Sequence, residues 1–466
     1  MTEPRRIPPS LPPGYFLGQE ANSVSRDALF RRLSPHFAPF MSEDAAHRFF
    51  AQIEGRVDGL DYVNYWYSQQ DGPWARRLAE IGRQHGVDMW AGIRWQKQFR
   101  DLPVVPAEHV AWTMDAQGNV APALWEQRNH LLDVLNPAAV DWLLDALEER
   151  YWPHVKGVVN GLFLPETRIP LFDFPYDPSG VKPWALHAYS PYVLGRWCEY
   201  CLRHDLRHQG RVIDRFPVPR PDMAAERPEA LAVTLHGIRM HADRSQNVYI
   251  PDDRPASVPT GTPFVAIPAG TPLWLAWERF LCELYHDSFT HRVAARVNRL
   301  NAEVPDWRGV CAFNNDVTML DYRDFRTPSA RTGAARGYWP QGRRMGVDLH
   351  RMLDDPELTC FISETVQTVR DYRDSEENYL SRGLEIARAH GRQDDYGFMI
   401  HYCCWDMDEA EEALRWEMFH RYRPPVFSFY CIHLILTEGG PHYRAEAARR
   451  FWGRVEEYKR LLRSRE

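Results

Sequence analysis

Eight times along the chain a short run of β-branched and aromatic residues gives way to a polar stretch, and amphipathic helical patterns alternate with these runs. The runs are GYFLGQE (14–20), LDYVNYWYS (60–68), VDMWAGIRW (87–95), VKGVVNGLFLPE (155–166), GVCAFNND (309–316), LTCFISE (358–364), YGFMIHYCCWD (396–406) and VFSFYCIHLIL (426–436). Apolar residues recur at helical spacing over 43–56, 74–85, 272–301, 376–390, 407–421 and 442–463, and in the segments opened by Asn136 and Ser190. Asn136 followed by proline, and Ser190 followed by proline, are good helix starts. Strands that alternate with helices imply a parallel sheet, and eight of them suit a (β/α)8 barrel. An open doubly wound sheet would want a glycine-rich phosphate loop after its first strand, and no GxGxxG or GxxxxGK[ST] follows any of the runs. The expected fold class is therefore α/β, a (β/α)8 TIM barrel, with residues 1–466 forming one catalytic domain.

Residues 210–272 break the rhythm. They are proline-rich with short β-like pieces (LAVTLHGIRMHA, QNVYIP, PFVAIPAG), which reads as an inserted subdomain after strand four. Such an insertion suits either a lid or a contact between copies in a homo-oligomer, and the sequence leaves both open.

Bulk properties exclude several classes of function. The net charge of −7 comes without a dense Lys/Arg patch, which argues against a nucleic-acid partner. No uncharged apolar run approaches the ~18 residues of a membrane span, and the opening MTEPRRIPPSLPPGYF lacks the apolar core of a secretory signal. No membrane partner is expected, and the location expected is cytoplasmic. The pair Cys198 and Cys201 falls in a helical pattern without a second CxxC, so neither zinc nor redox chemistry is read there. No cofactor is expected. Seventeen tryptophans are many for this length, and flat indole faces suit sugar rings as well as a core.

In a barrel, chemistry sits at the C-terminal ends of the strands. Those positions carry Glu20, Tyr67, Arg94 with Trp95, Glu166 with Arg168, Asn314 with Asn315 and Asp316, Glu364, and Trp405 with Asp406. Carboxylates, amides and tryptophans dominate, and no GxSxG elbow is present. Paired carboxylates beside aromatic platforms are what glycosidic cleavage needs: one protonates the departing oxygen, the other acts at the anomeric carbon. The substrate expected is a carbohydrate.

Glutamates closing a middle and a late strand, with a later strand running into Trp405, resemble the retaining glycoside hydrolases of the β-galactosidase superfamily (clan A). The segments LWLAWERFLCELYHDSFTHRVAARVNRLNAEVPDW and NPAAVDWLLDALEERYWPHVKGV are similar in flavour to family 42-type β-galactosidases. The resemblance implies Glu166 as acid/base after strand four and Glu364 as nucleophile after strand seven. It further implies Trp405 as sugar platform, Trp95 and Trp66 as walls, and Asn314, Asn315 and Asp316 as partners of sugar hydroxyls. Tyr402 or Arg94 would keep Glu364 ionised. Pro165 stands where the superfamily usually has Asn. Counting the runs places Glu364 on strand six, so the resemblance requires a concealed fifth strand within 210–272, for which LAVTLHG is the candidate.

Each of these residues also has a purely structural reading. Glu166 would pair with Arg168, Glu364 would cap a helix, Asp316 would close an Asx turn, and Trp405 and His401 would pack inside the barrel. Two other functions stay open: a carbohydrate-binding barrel without hydrolysis, and a metal-dependent lyase or isomerase using Asp316, Asp406 and His401.

Overall fold

A computed structural model describes residues 10–19, 42–63, 72–92, 105–114, 120–122, 124–125, 129–130, 132–164, 188–208, 210–213, 219–221, 265–267, 272–315, 348–365, 373–400, 409–430, 432–440 and 443–464. The eight runs form eight strands: β1 (Tyr15–Gln19), β2 (Gly59–Val63), β3 (Asp88–Gly92), β4 (Gly161–Leu164), β5 (Gly309–Asn315), β6 (Leu358–Thr365), β7 (Tyr396–Ile400) and β8 (Val426–Tyr430). Each strand pairs in parallel with the next in sequence, and β8 returns to β1 from Tyr15↔Val426 to Gln19↔Tyr430, closing the barrel. Closure leaves no sheet edge open.

The concealed fifth strand has no place in this barrel. β4 pairs directly with β5, from Gly309↔Gly161 to Ala312↔Leu164, so every pairing position on both strands is taken by a neighbour already counted. Residues 231–237 lie outside the described residues. What is described of the insertion is Arg211–Val212, paired antiparallel with Arg207–His208, and a two-stranded parallel pair, Pro219–Pro221 with Val265–Ile267, each in a sheet of its own.

Around the barrel run helices α1 (Glu43–Ile53), α2 (Gly72–Gln84), α3 (Pro137–Arg150), α4 (Pro191–Arg203), α5 (Pro272–Tyr285), α6 (His291–Leu300), α7 (Leu349–Asp354), α8 (Arg373–Ala389), α9 (Glu409–Tyr422) and α10 (Ala445–Arg463). Several begin on a side-chain cap. The Ser42 hydroxyl accepts from Ala45 N at 3.2 Å, the Asn136 amide oxygen from Ala138 N at 3.1 Å, and the Ser190 hydroxyl from Val193 N at 3.3 Å. Each cap satisfies a backbone donor that the first turn leaves orphaned. The helix expected over 272–301 is interrupted: α5 and α6 are joined by one wider turn, His286–Thr290, in which His291 N–H donates to His286 O, five residues back.

Two packed layers share the apolar residues. Inside the barrel, Tyr15, Leu17, Trp90, Phe163, Cys311, Cys360, Ile362, Met399 and Val426 form one cluster. Their alternates along the strands, such as Phe16, Leu60, Leu164, Ala312, Phe361, Phe398 and Phe427, face the helices. Both faces are buried, which is why the strands read as nearly continuous apolar runs. Glycines make room for the largest inner side chain: a Cβ on Gly161 would stand 2.5 Å from the Trp90 ring. Trp90 Nε1 donates to the Tyr15 hydroxyl (3.0 Å), which donates to Asp88 (3.0 Å), and Arg308 pairs with the same carboxylate at 3.0 Å. Among the described residues no helix is long and apolar enough to cross a membrane.

Candidate active site

All residues expected to carry chemistry are at, or shortly beyond, the C-terminal ends of barrel strands. Asn314 and Asn315 are the last two residues of β5, and Glu364 is the penultimate residue of β6. Their backbones are paired, Asn314↔Ser363 and Asn315↔Glu364, while Glu364 also pairs with Met399 of β7. Glu20 follows Gln19 of β1 directly, Trp66 is three residues past β2, Arg94 and Trp95 two and three past β3, Glu166 and Arg168 two and four past β4, and Asp316 one past β5. His401, Tyr402, Trp405 and Asp406 follow β7 by one to six residues. Glu20, Trp66, Arg94, Trp95, Glu166, Arg168, Asp316, His401, Tyr402, Trp405 and Asp406 lie outside the described residues, as do the side chains of Asn314, Asn315 and Glu364.

The strand count corrects one expectation. Glu364 closes strand six, not strand seven, because the barrel closes without a strand from the insertion. The carboxylate that follows strand seven in the sequence is Asp406.

Ser363, the residue before Glu364, is fully buried on the outer face of β6, and its hydroxyl and that of Tyr396 on β7 stand 2.5 Å apart. Burial pushes the Tyr396 phenol well above its ordinary range, so it stays protonated and available for this bond. The end of β6 is thereby tied to the base of β7 by a side-chain bond as well as by the ladder.

Asp61 on β2 escaped the sequence reading. It is buried at 1% exposure and registers with Gln19 and with Trp90. The Cys311 thiol is held far above its ordinary range by burial first, then by Cys360, and then by the negative charge of Asp61. An acid on β2 that is felt by a thiol on β5 is a carboxylate inside the barrel, beneath the mouth. The signal was a single aspartate at an inward position of an otherwise apolar strand.

Among the described residues, Cys201, Cys282 and Cys360 are buried packing groups. Cys201 on α4 has its thiol pushed up to about 12, by burial first and by Cys198 second, which keeps it protonated and unreactive. Among the described residues, one group of side chains has the make-up of a metal site: His286, His291 and Asp355. It lies in the helical layer, away from the strand ends that form the mouth.

No family model and no curated protein matches the chain. Solved structures do. The catalytic domain of β-amylase from Paenibacillus polymyxa aligns with a TM-score of 0.52 at 11% identity, over 97% of this chain and 98% of that one. The PgaB (BpsB) glycoside hydrolase domain from Bordetella bronchiseptica aligns at 0.49 and 10%, over 96% and 99%. An endo-β-1,4-mannanase from Thermotoga petrophila aligns at 0.43 and 8%, over 96% and 76%. None of these singles out the family 42-type enzymes. At 11% identity the likeness to the amylase domain establishes a shared fold, a (β/α)8 barrel along nearly the whole chain, and nothing narrower.

Proposed function

We propose that the protein is a glycoside hydrolase that cleaves a glycosidic bond with two carboxylates, Glu166 and Glu364. One observation carries the reading: both glutamates belong to C-terminal strand ends of a closed barrel, with a single strand between them. Leu164 and Phe361 both register with Ala312, so they stand at one level of the barrel. Glu166 comes two residues after Leu164 and Glu364 three after Phe361. Strands are spaced about 4.8 Å apart, so the ends of β4 and β6 are separated by roughly 9–10 Å of backbone. Glycosidases hold their two carboxyls about 5–5.5 Å apart for retention and 6.5–9.5 Å apart for inversion, a separation compatible with glutamates borne by strand ends at that spacing. Position 364 is also in phase with Cys360 and Ile362, the inward residues of β6.

In the proposed mechanism Glu166 holds a proton and delivers it to the departing glycosidic oxygen. Glu364, ionised, attacks the anomeric carbon to form a glycosyl-enzyme, and Glu166 then activates the water that releases it. Asn314 and Asn315 supply hydrogen bonds to sugar hydroxyls, and Trp405, Trp95 and Trp66 supply stacking faces. That the first solved structure compared is an amylase domain supports a carbohydrate as substrate by likeness of fold alone.

The strand count favours a second reading of one role. The resemblance places the nucleophile after strand seven, and Asp406 is the carboxylate there. The test separates the two. Purified protein is assayed on a panel of aryl glycosides and soluble glucans, with Glu166→Gln, Glu364→Gln and Asp406→Asn compared by circular dichroism and turnover. Loss of activity by about 10²–10⁴-fold or more in the first two, with folding intact, is the expected result. Azide should restore turnover of an activated substrate in Glu364→Ala. Restoration in Asp406→Ala instead transfers the nucleophile to strand seven, and full activity in Glu166→Gln overturns the proposal.

A further inference from the structure

The wide turn between α5 and α6 has a consequence for two histidines. Residues five apart on a regular α-helix point about 140° away from each other. At His286–Thr290 the chain makes five-residue hydrogen bonding instead, and His291 N–H donates to His286 O. Turns of this kind inside helices are uncommon and recur at functional sites. Here the extra residue brings His286 and His291 onto one side of the helix, with ring centroids 6.3 Å apart.

Both rings meet the same carboxylate, which arrives from another element. Asp355 directly follows α7 and leads into β6, and its side chain is only 1% exposed. His286 Nε2 lies 3.1 Å from Asp355 Oδ2, and His291 Nδ1 lies 3.1 Å from each carboxylate oxygen. One potential ligand atom from each of the three residues falls within a sphere of contacts no wider than 4.8 Å. Nδ1 of His286 is buried with no hydrogen-bond partner among the described residues, so nothing there pins the ring's tautomer. When an ion takes the place of the Nε2–H bond to Asp355, the ring proton can therefore sit on Nδ1 and leave the Nε2 lone pair to the ion.

We propose that His286, His291 and Asp355 form a binding site for a divalent first-row transition ion, with zinc the best fit. Two imidazoles and a carboxylate are the nitrogen–oxygen donor set that zinc takes, at bond lengths of about 2.0–2.2 Å. Two such bonds place their donor atoms roughly 3.0–3.4 Å apart at octahedral to tetrahedral angles, and the observed 3.1 Å falls in that span. The side chain of His291 is 47% exposed, so the ion enters from solvent and water fills its remaining positions. The site is remote from the strand ends. Its effect is to staple the α5–α6 helix to the segment that starts β6, two parts of the chain 64 residues apart.

The test uses untagged protein stripped with chelator and titrated with Co2+, whose visible bands report imidazole coordination, and then with Zn2+ in competition. One equivalent should bind with a Kd at or below about 10 µM, raising Tm as any native-state ligand does. His291→Ala, an exposed position, should weaken binding by at least about 100-fold, beyond what outer-shell changes usually cost. His390→Ala is the control: it alters a second histidine cluster, in which His350 and His390 stand 2.8 Å apart, and should leave affinity unchanged. Absence of saturable Co2+ bands, unchanged affinity in His291→Ala, or loss of binding only in His390→Ala would each overturn the site.

Discussion

Gly161 is a residue whose value lies in what it leaves out. On β4 it registers with Trp90 of β3, and the indole occupies the space its side chain would take. An added Cβ would lie 2.5 Å from two ring carbons, and the ring has no flexible end with which to move aside. Trp90 is further held by its bond to Tyr15 at 3.0 Å. Gly161→Ala is therefore expected to destabilise the fold by about 1–3 kcal/mol, the usual cost of overpacking a core. Urea unfolding followed by tryptophan fluorescence measures it, and an unchanged midpoint would show that the ring yields. At the same scale, Asp61 and the wide turn at His286 show how one residue out of pattern marks something the pattern does not explain.

At the scale of an element, the start of α4 couples a helix cap to a buried acid. The Ser190 hydroxyl accepts from Val193 N and donates to Asp133 Oδ2 at 2.5 Å, and Asp133 Oδ1 accepts from Leu135 N at 3.2 Å. Burial pushes the Asp133 carboxyl up to about 6, against the pull of those two bonds. The folded state thus favours the protonated acid more than the unfolded chain does. Its contribution to stability is complete below the unfolded value of about 3.9 and is lost as pH rises to about 6. Asp133→Asn keeps the shape and removes the charge. Its stability relative to the parent should climb between about pH 4 and pH 6 and level off above, by at most about 3 kcal/mol. Thermal melts of both proteins across that range check the sign, and a constant difference would reject the linkage.

At the scale of the molecule, the barrel depends on its last helix. α10 covers the seam where β8 meets β1, burying Ala448, Phe451, Trp452, Val455, Tyr458 and Leu462. Phe16 of β1 and Phe427 of β8 stack at 4.7 Å, and Tyr458 stands edge-on to Phe427 at 5.1 Å. The Tyr458 hydroxyl donates to Pro424 O at 2.7 Å, and Lys459 reaches Asp58 at 2.6 Å, tying the helix to the segments before β8 and β2. Burying a large apolar side chain contributes about 1.5–3 kcal/mol, so the five large ones together exceed roughly 7 kcal/mol, comparable with the whole net stability of a domain. Truncation after Gly440 is expected to abolish cooperative unfolding and to leave an aggregation-prone chain, read by calorimetry and light scattering. A truncated protein with a sharp transition would mean the barrel closes unaided.

The eight strands and their parallel order were legible in the string because both faces of each are buried. Most barrel strands read as short, nearly unbroken apolar runs, and helical periodicity separates most runs from the next. Strand ends were legible too, since apolar character stops where polar residues such as Asn314 and Glu364 begin. Closure was not. Whether β4 meets β5 directly or through a strand from the insertion is a question of which surfaces meet in space, and only pairing of Gly161 with Gly309 answers it. The same holds for Asp61 facing Cys311 and for His286 and His291 gripping Asp355: local periodicity assigns a residue to a face, but what lies opposite is chosen by the packing of distant segments.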